Sequence, residues 1–163
     1  MSTRIIKVLS DALGVEKVLT GAAVQERYHH IWKMNEPLQA KAVVLPRTTE
    51  DVATALRICQ EHRQAIVVHG GLTNLVGSTE THAEEVVIAM EKMNTIEEVD
   101  ERSRTMRVQA GVILEHIQAA AKDMDLLFPL NFGAKGSAQI GGIISTNAGG
   151  LRVLRFGMTR NLV

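Results

Sequence analysis

Residues 42–78, AVVLPRTTEDVATALRICQEHRQAIVVHGGLTNLVGS, carry the pattern from which the fold class is predicted. It opens on a short apolar run at 42–45, after which Thr48, three residues ahead of Asp51, predicts a capping box at the start of a helix. A second continuous apolar run, at 65–68, is typical of a strand covered on both faces, as parallel strands are. We therefore predict a βαβ unit that ends at this run, and an α/β fold.

A glycine-rich segment, HGGLTNLVGS at residues 69–78, follows the second strand directly and is called the glycine loop below. Its paired Gly70 and Gly71 lack Cβ atoms and permit positive φ, so that consecutive amides can turn toward an anion. Thr73, Asn74 and Ser78 add neutral donors, and open α/β sheets bind ligands at this edge. The chemistry suits a pyrophosphate, while a simple tight turn is the alternative.

The spacing of the glycine loop excludes two familiar nucleotide-binding loops. A Walker loop needs GxxxxGK followed by Ser or Thr, but five residues separate Gly71 from Gly77 and no lysine follows. The pattern GxGxxG is also absent from the loop. A pyrophosphate here would be held without a single fixed cation.

A second glycine segment, PLNFGAKGSAQIGGIISTNAGG, occupies residues 129–150. Seven of the 13 glycines of the chain fall within residues 133–157, so this region is not ordinary core. Small residues let a backbone pass close to a flat or extended ligand, and Ser137, Thr146 and Asn147 can supply directed hydrogen bonds. A β-rich hairpin region, with glycines serving bulges and turns, is the alternative.

The rest of the chain continues the alternation of strands and helices, with no internal repeat. Residues 21–37 fit neither the helical nor the strand period, so helix and loop both remain open there. The apolar residues 161–163 predict a strand that is cut by the end of the sequence. The remaining predicted elements are a helix over 2–13 ended by Gly14, strands over 86–89, 96–99 and 105–110, and a helix over 113–124.

Composition excludes several classes of function. Lys plus Arg and Asp plus Glu are 18 each, so no global charge favours nucleic acid or a membrane surface, and 3% aromatics leave little to stack on bases. Cys59 is the single cysteine and the histidines lack metal-ligand spacing, so we expect a buried inert thiol and no metal site. Without a signal peptide or an apolar run of spanning length, the expected location is cytoplasmic, with no membrane span.

Four ordered motifs carry a resemblance to a known family: VVLPRTTEDVATALR, VVHGGLTNLVGST, VQAGV and FPLNFGAKGSAQIGGIISTNAGGLRVLRFG. Together they resemble the PCMH-type FAD-binding domain of the FAD-linked oxidases related to vanillyl-alcohol oxidase. The GAKGS, IGG and TNAGGLR elements are most similar to the D-2-hydroxyacid dehydrogenase branch, which includes D-lactate and D-2-hydroxyglutarate dehydrogenases. The resemblance implies an α/β (α+β) domain of two α/β subdomains over residues 40–163, incomplete at its C-terminus, after an N-terminal helical segment at 1–39.

The resemblance also implies a cofactor, FAD, with its pyrophosphate on the glycine loop and its flavin end along the second glycine segment. Relatives that bind flavin covalently place a histidine after the glycine pair, where this chain has Leu72, so non-covalent binding is expected. His69 stands where branch members commonly have arginine and is expected to pack or cap locally. The implied cofactor-binding residues are Gly70, Gly71, Leu72, Thr73, Asn74, Gly77, Ser78, Pro129, Gly133, Ala134, Ser137, Gly141, Gly142, Thr146, Asn147 and Gly150.

The function that the resemblance implies is transfer of a hydride from the α-carbon of a D-2-hydroxyacid to flavin N5. Family members continue into a substrate domain that is absent here, so no catalytic residue is assigned and substrate is expected only if that domain is supplied. Two alternatives remain open. One is a flavin- or nucleotide-binding module that works with a partner chain or by self-association through the truncated edge. The other is an inactive remnant of such an enzyme.

Overall fold

The computed structural model describes residues 2–163, which divide after Lys92 into two units that are treated separately below. The first unit is built on a four-stranded sheet, and the second on a two-stranded antiparallel sheet with helices. This mixture of helices and sheets confirms the predicted α/β class. The division at residue 40 stays a prediction.

The first unit contains three α-helices, two 3₁₀ turns and the four strands. Its strand order is β1-β2-β4-β3, with β1 antiparallel to β2 and the other three strands parallel. The elements are α1 (Ser2–Leu13), a 3₁₀ turn (Val15–Lys17), β1 (Val18–Leu19), α2 (Ala22–Gln25), β2 (Ala42–Val44), α3 (Thr49–Glu61), β3 (Ile66–His69), β4 (Val86–Ala89) and a 3₁₀ turn (Met90–Lys92).

The predicted βαβ unit exists, but its two strands are not neighbours, because β4 pairs with both of them. Strand β4 is buried at all four positions, as expected of a strand covered on both faces. Strand β3 lies at the sheet edge with Val68 49% exposed, so the prediction that residues 65–68 are covered on both faces is wrong. An apolar run reports strand propensity and does not specify the order of strands in the sheet.

The helices of the first unit begin and end where local signals predict. Helix α1 ends at Gly14, which has a φ of +101°. Thr48 caps α3 by accepting a hydrogen bond from the Asp51 N–H at 3.1 Å, as the capping box predicts. The Asp51 carboxylate accepts from the N–H of Arg47 and from Lys17, both at 2.9 Å. Burial alone would raise the pKa of Asp51, but these hydrogen bonds outweigh it and lower the pKa.

The N-terminal residues are integrated into the first unit. Helix α1 packs with α3 on one face of the sheet through Ile5, Leu9 and Ile58. Strand β1, which the sequence pattern did not predict, pairs with β2. Residues 21–37, for which both helix and loop remained open, contain the short helix α2 followed by turns. Each of these two predictions therefore holds for part of the region.

The second unit begins with a hairpin and continues into short helices. Its core forms around Leu114, Ile117 and Leu130. Asn161 ends a 3₁₀ turn and residues 162–163 form no strand, so the predicted strand at 161–163 is wrong; the glycine-rich region is helical and turn-like instead of a hairpin. The elements are β5 (Ile96–Asp100), β6 (Thr105–Val108), α4 (Leu114–Lys122), α5 (Ile140–Ser145), α6 (Val153–Phe156) and the 3₁₀ turn Thr159–Asn161.

Within residues 2–163 no helix has both the length and the apolar character needed to cross a membrane.

Candidate functional site

The glycine loop leaves the sheet at the carboxyl end of β3, as predicted, but from an edge strand. Residues 70–74 are half-buried, and residues 75–78 are exposed. No residue from 70 to 78 carries a charged side chain, so any anion held here meets neutral donors only.

Positive φ angles in the loop occur at Leu72 (+56°) and Gly77 (+69°) and not at Gly70 or Gly71. The positive φ that Gly70 and Gly71 permit is therefore not used at these two positions. Leu72 is a non-glycine residue in this region, which costs about 1–3 kcal/mol and needs support from surrounding contacts. The left-handed backbone conformation thus occurs at Leu72, one residue after the glycine pair.

The side chain of Asn74 organises the exposed half of the loop. Its Oδ1 accepts hydrogen bonds from the N–H groups of Val76 and Ser78, both at 3.1 Å, and its Nδ2 donates to Thr79 Oγ1 at 2.9 Å. Such an arrangement is an extended Asx turn. The Asn74 Oδ1, one N–H of its Nδ2 and the Ser78 N–H are thus used within residues 74–79, and a ligand-donor role for Asn74 stays a prediction.

A run of backbone donors in the loop has no partner in the protein. Across residues 2–163, the N–H groups of residues 70–75 and of Gly77 find no acceptor. These N–H groups are open to a ligand or to water, because residues 70–74 are only half-buried and residues 75–78 are exposed. A series of backbone N–H groups on neutral residues can bind phosphate oxygens. The geometry of the loop therefore fits an anion.

Three histidines, His69, His30 and His29, form hydrogen bonds to the glycine loop or to the residues just after it. His69 is 2% exposed, and its Nε2 donates to the carbonyl oxygen of Thr79 at 2.9 Å, which closes the base of the loop. Burial lowers the pKa of His69 to about 4, so the ring is neutral. The prediction that His69 packs or caps locally is confirmed.

The other two histidines were missed as site residues by the sequence analysis. His30 contacts the Asn74 carbonyl oxygen through Nε2, and the N–H of Thr81 donates to Nδ1 of His29 at 3.3 Å. They precede Trp32 in the region that fitted neither period, so the only available signal was an adjacent histidine pair close to an aromatic residue.

In the second glycine segment, two glycines serve close backbone contacts within the second unit. A Cβ at Gly150 would lie 2.1 Å from the Asn131 carbonyl oxygen, and one at Gly141 would lie 2.9 Å from the Cβ of Ala110. The carbonyl oxygens of Asn131 and Ala110 also accept the N–H groups of Leu151 and Gly141, at 2.9 and 2.8 Å. These two glycines are required by the fold itself.

Two polar side chains of this segment form hydrogen bonds to backbone groups of the second unit. Thr146 Oγ1 donates to the Gly142 carbonyl oxygen at 2.9 Å, and Asn147, with a φ of +50°, accepts from the N–H of Arg160 through Oδ1 at 3.0 Å. The Nδ2 group of Asn147 has no hydrogen-bond partner among residues 2–163, so the expectation that Asn147 offers a donor to a ligand stays a prediction.

Other parts of the second glycine segment have backbone groups with free space or without a hydrogen-bond partner. A Cβ at Gly133 or Gly142 would meet no atom within 4 Å, and the N–H groups of residues 131–134 have no acceptor among residues 2–163. Ser137 is exposed and Ala134 half-exposed. A shallow surface depression is lined by Pro129, Leu130, Asn131, Gly150, Arg152, Val153, Phe156, Gly157 and Leu162.

Metal and thiol chemistry have no support in residues 2–163. No group of three or more metal-ligating side chains is assembled there. Cys59 is buried in α3, and burial raises the pKa of its thiol, which leaves it protonated and unreactive.

Comparison with known proteins identifies the relatives of the chain. Residues 40–163 match a family model described as FAD binding domain. The chain is 40% identical over 147 residues to D-2-hydroxyglutarate dehydrogenase of Stutzerimonas stutzeri (strain A1501), covering 90% of this chain and 32% of that protein. It is 34% identical over 163 residues to the mitochondrial D-2-hydroxyglutarate dehydrogenase of Arabidopsis thaliana, covering 100% of this chain and 29% of that protein.

A solved structure of alkyldihydroxyacetonephosphate synthase superposes with a TM-score of 0.85 at 17% identity, over 98% of this chain and 34% of that one. At that identity the likeness concerns the fold. The chain spans about a third of the length of the curated relatives that it matches.

Proposed function

The chain belongs to the FAD-binding domain family, and we propose that it is the FAD-binding portion of a flavin-dependent D-2-hydroxyacid dehydrogenase. The family resemblance of the four motifs is confirmed by the match over residues 40–163 and by relatives named D-2-hydroxyglutarate dehydrogenase. FAD is the cofactor of this family. Non-covalent attachment is part of the proposal, because Leu72 cannot form a bond to flavin.

The observation that carries the proposal is the run of unpartnered N–H groups at residues 70–75. A pyrophosphate presents several anionic oxygens, and neutral amides can surround them without a lysine. We propose that Gly70, Gly71, Leu72 and Thr73 hold the pyrophosphate through their backbone amides. Asn74, Gly77 and Ser78 shape the loop around it.

The second glycine segment is proposed to hold the flavin end of FAD. Its open glycines, Gly133 and Gly142, let a flat ring approach the backbone, and the amides of residues 131–134 offer donors to ring oxygens. When bound, FAD supplies an isoalloxazine ring that accepts a hydride from the α-carbon of the hydroxyacid. The flavin end of the proposed site also includes Pro129, Ala134 and Ser137. The shape of the segment is maintained by Gly141, Thr146, Asn147 and Gly150.

The substrate class rests on the relatives and extends beyond this chain. We assign no catalytic residue here, since orientation of a substrate and a positioned base account for most of the rate of such a reaction. A D-2-hydroxyacid is proposed as the substrate only where a substrate domain is supplied. The proposed location is the cytoplasm, and cell fractionation would distinguish it from the mitochondrion named for some relatives.

The direct test is to purify the chain, add FAD, remove the excess and record the visible spectrum, followed by acid precipitation. We expect a flavin spectrum whose pigment is released into the acid supernatant, which indicates a non-covalent FAD site. A folded protein that retains no FAD would refute the proposal and favour an inactive remnant. Pigment that stays with the precipitate would refute non-covalent attachment.

The Asn74→Ala variant should bind FAD about tenfold more weakly, because the loop loses the acceptor of two amides and the bond to Thr79. Fluorescence titration with FAD gives the Kd. The matched control is Asn94→Ala, at an exposed asparagine of the second unit, which should leave the Kd within twofold. Equal Kd values for both variants would show that Asn74 does not shape the site.

A second candidate function, a module that works with a partner chain, is favoured by exposed leucines of the second unit. Leu151 and Leu154 are 85% and 101% exposed, and such side chains on a surface favour association. Light scattering should then detect a dimer or larger species. A monomer that binds FAD at all concentrations tested would contradict this candidate.

A further inference from the structure

His30 and Ile31, which lie outside the matched region 40–163, contact the glycine loop at two of its carbonyl groups. The Ile31 N–H donates to the Leu72 carbonyl oxygen at 3.2 Å, and His30 Nε2 contacts the Asn74 carbonyl oxygen. We call residues 29–31 the brace. Both contacted carbonyls lie in the part of the loop whose N–H groups have no acceptor.

The tautomer of His30 follows from its two contacts. Its Nδ1 accepts the N–H of Trp32 at 3.1 Å, so the proton of the neutral ring is on Nε2. The Nε2–H therefore donates to the Asn74 carbonyl oxygen. The ring also stacks on Trp32, with centroids 6.4 Å apart and an interplanar angle of 17°, which fixes its orientation.

The brace determines where the loop amides point. In a trans peptide the C=O and the following N–H point in opposite directions, and the protein contains no cis peptide bond among residues 2–163. Holding the Leu72 carbonyl toward Ile31 therefore directs the Thr73 N–H away from the brace. In the same way, His30 directs the Leu75 N–H away by holding the Asn74 carbonyl. Both N–H groups belong to the set without acceptors.

We propose that His30 is a positioning residue of the FAD site, which orients loop amides toward the pyrophosphate through its hydrogen bond to the Asn74 carbonyl. This inference rests on the proposed function. It also explains how Leu72 is kept at positive φ, because the carbonyls of residues 72 and 74 are both tied to the brace. His29 ties the brace to Thr81, three residues after the loop, by accepting the Thr81 N–H at Nδ1.

Two substitutions separate the hydrogen bonds of His30. In His30→Gln the side-chain amide can reach the Asn74 carbonyl as the Nε2–H does. In His30→Asn the shorter side chain can still accept from Trp32 but cannot reach Asn74. We expect His30→Asn to raise the Kd for FAD about tenfold and His30→Gln to stay within threefold of wild type. The control, His82→Asn at an exposed histidine, should match wild type.

Three measurements together test the proposal: the Kd for FAD, the urea midpoint of unfolding and the tautomer of the His30 ring. Urea unfolding followed by the fluorescence of Trp32, the single tryptophan, should give equal midpoints for the two His30 variants, so that a difference in Kd reflects positioning. Equal Kd values for these variants would overturn the proposal. If wild type binds no FAD, the proposed function fails as well, a result distinct from a wild type that binds and variants that bind equally.

The third readout needs neither a variant nor FAD. Two-dimensional ¹H–¹⁵N spectra of the histidine rings should show His30 as the Nε2–H tautomer, with a proton protected from exchange. An Nδ1–H tautomer, or a ring proton that exchanges freely, would overturn the proposal even where a variant fails to fold.

Discussion

Substitution of Gly150 by alanine should destabilise the second unit by about 3 kcal/mol or more, at the upper end of overpacking effects. The added Cβ would lie 2.1 Å from the carbonyl oxygen of Asn131 and 2.7 Å from its carbonyl carbon. These are backbone atoms, and the same oxygen accepts the Leu151 N–H at 2.9 Å, so a shift that relieves the clash also breaks this hydrogen bond. The measurement is hydrogen exchange of the α4 amides, followed by mass spectrometry.

The matched control for this prediction is Gly142→Ala in the same segment. A Cβ at Gly142 meets no atom within 4 Å, and Gly142 lies in helix α5, where alanine is favoured over glycine by up to about 1 kcal/mol. The control should therefore exchange as slowly as wild type or more slowly. If Gly150→Ala exchanged like Gly142→Ala, the close approach of residues 131 and 150 would be wrong.

The two glycines show what a sequence can and cannot specify. Gly142 and Gly150 both belong to the motif that resembles the family, and both were predicted to bind the cofactor. The sequence alone shows only that these two positions lack a side chain. Whether the missing Cβ makes room for a ligand or for another part of the backbone depends on contacts between distant residues. Gly150 faces the Asn131 backbone, whereas Gly142 faces open space.

The same distinction holds for the fold. The strand at residues 86–89 and the Thr48 cap follow from side chains a few residues apart, and both were predicted correctly. The position of β4 between β2 and β3 depends on pairing across the sheet, which no local pattern encodes. The contact of His30 with Asn74 joins residues 44 positions apart, so the brace could not be read from periodicity.

The second large effect is expected on acidification, through His69. Its pKa is about 4 in the native protein against an ordinary value of 6.5, mainly because burial disfavours the charged ring. The Thr79 carbonyl raises the pKa, while nearby His29 and Arg27 lower it further and Glu91 partly offsets them. Between these two pKa values the unfolded chain binds a proton that the native chain does not. Stability is thus complete above pH 6.5 and is lost as the pH falls toward 4.

The size of the loss is roughly 2 kcal/mol at pH 5, because each unit of pKa difference contributes about 1.4 kcal/mol. The His69→Gln variant isolates the pH-dependent contribution of His69 to stability. Its glutamine amide can still donate to the Thr79 carbonyl but does not titrate. Urea unfolding followed by Trp32 fluorescence should show that wild type loses this stability between pH 7 and pH 5 relative to His69→Gln. The exposed His82→Gln variant should follow wild type. Parallel curves for wild type and His69→Gln would mean that folding does not lower the pKa of His69, and the buried, neutral His69 ring at the base of the glycine loop would then be wrong below pH 6.5.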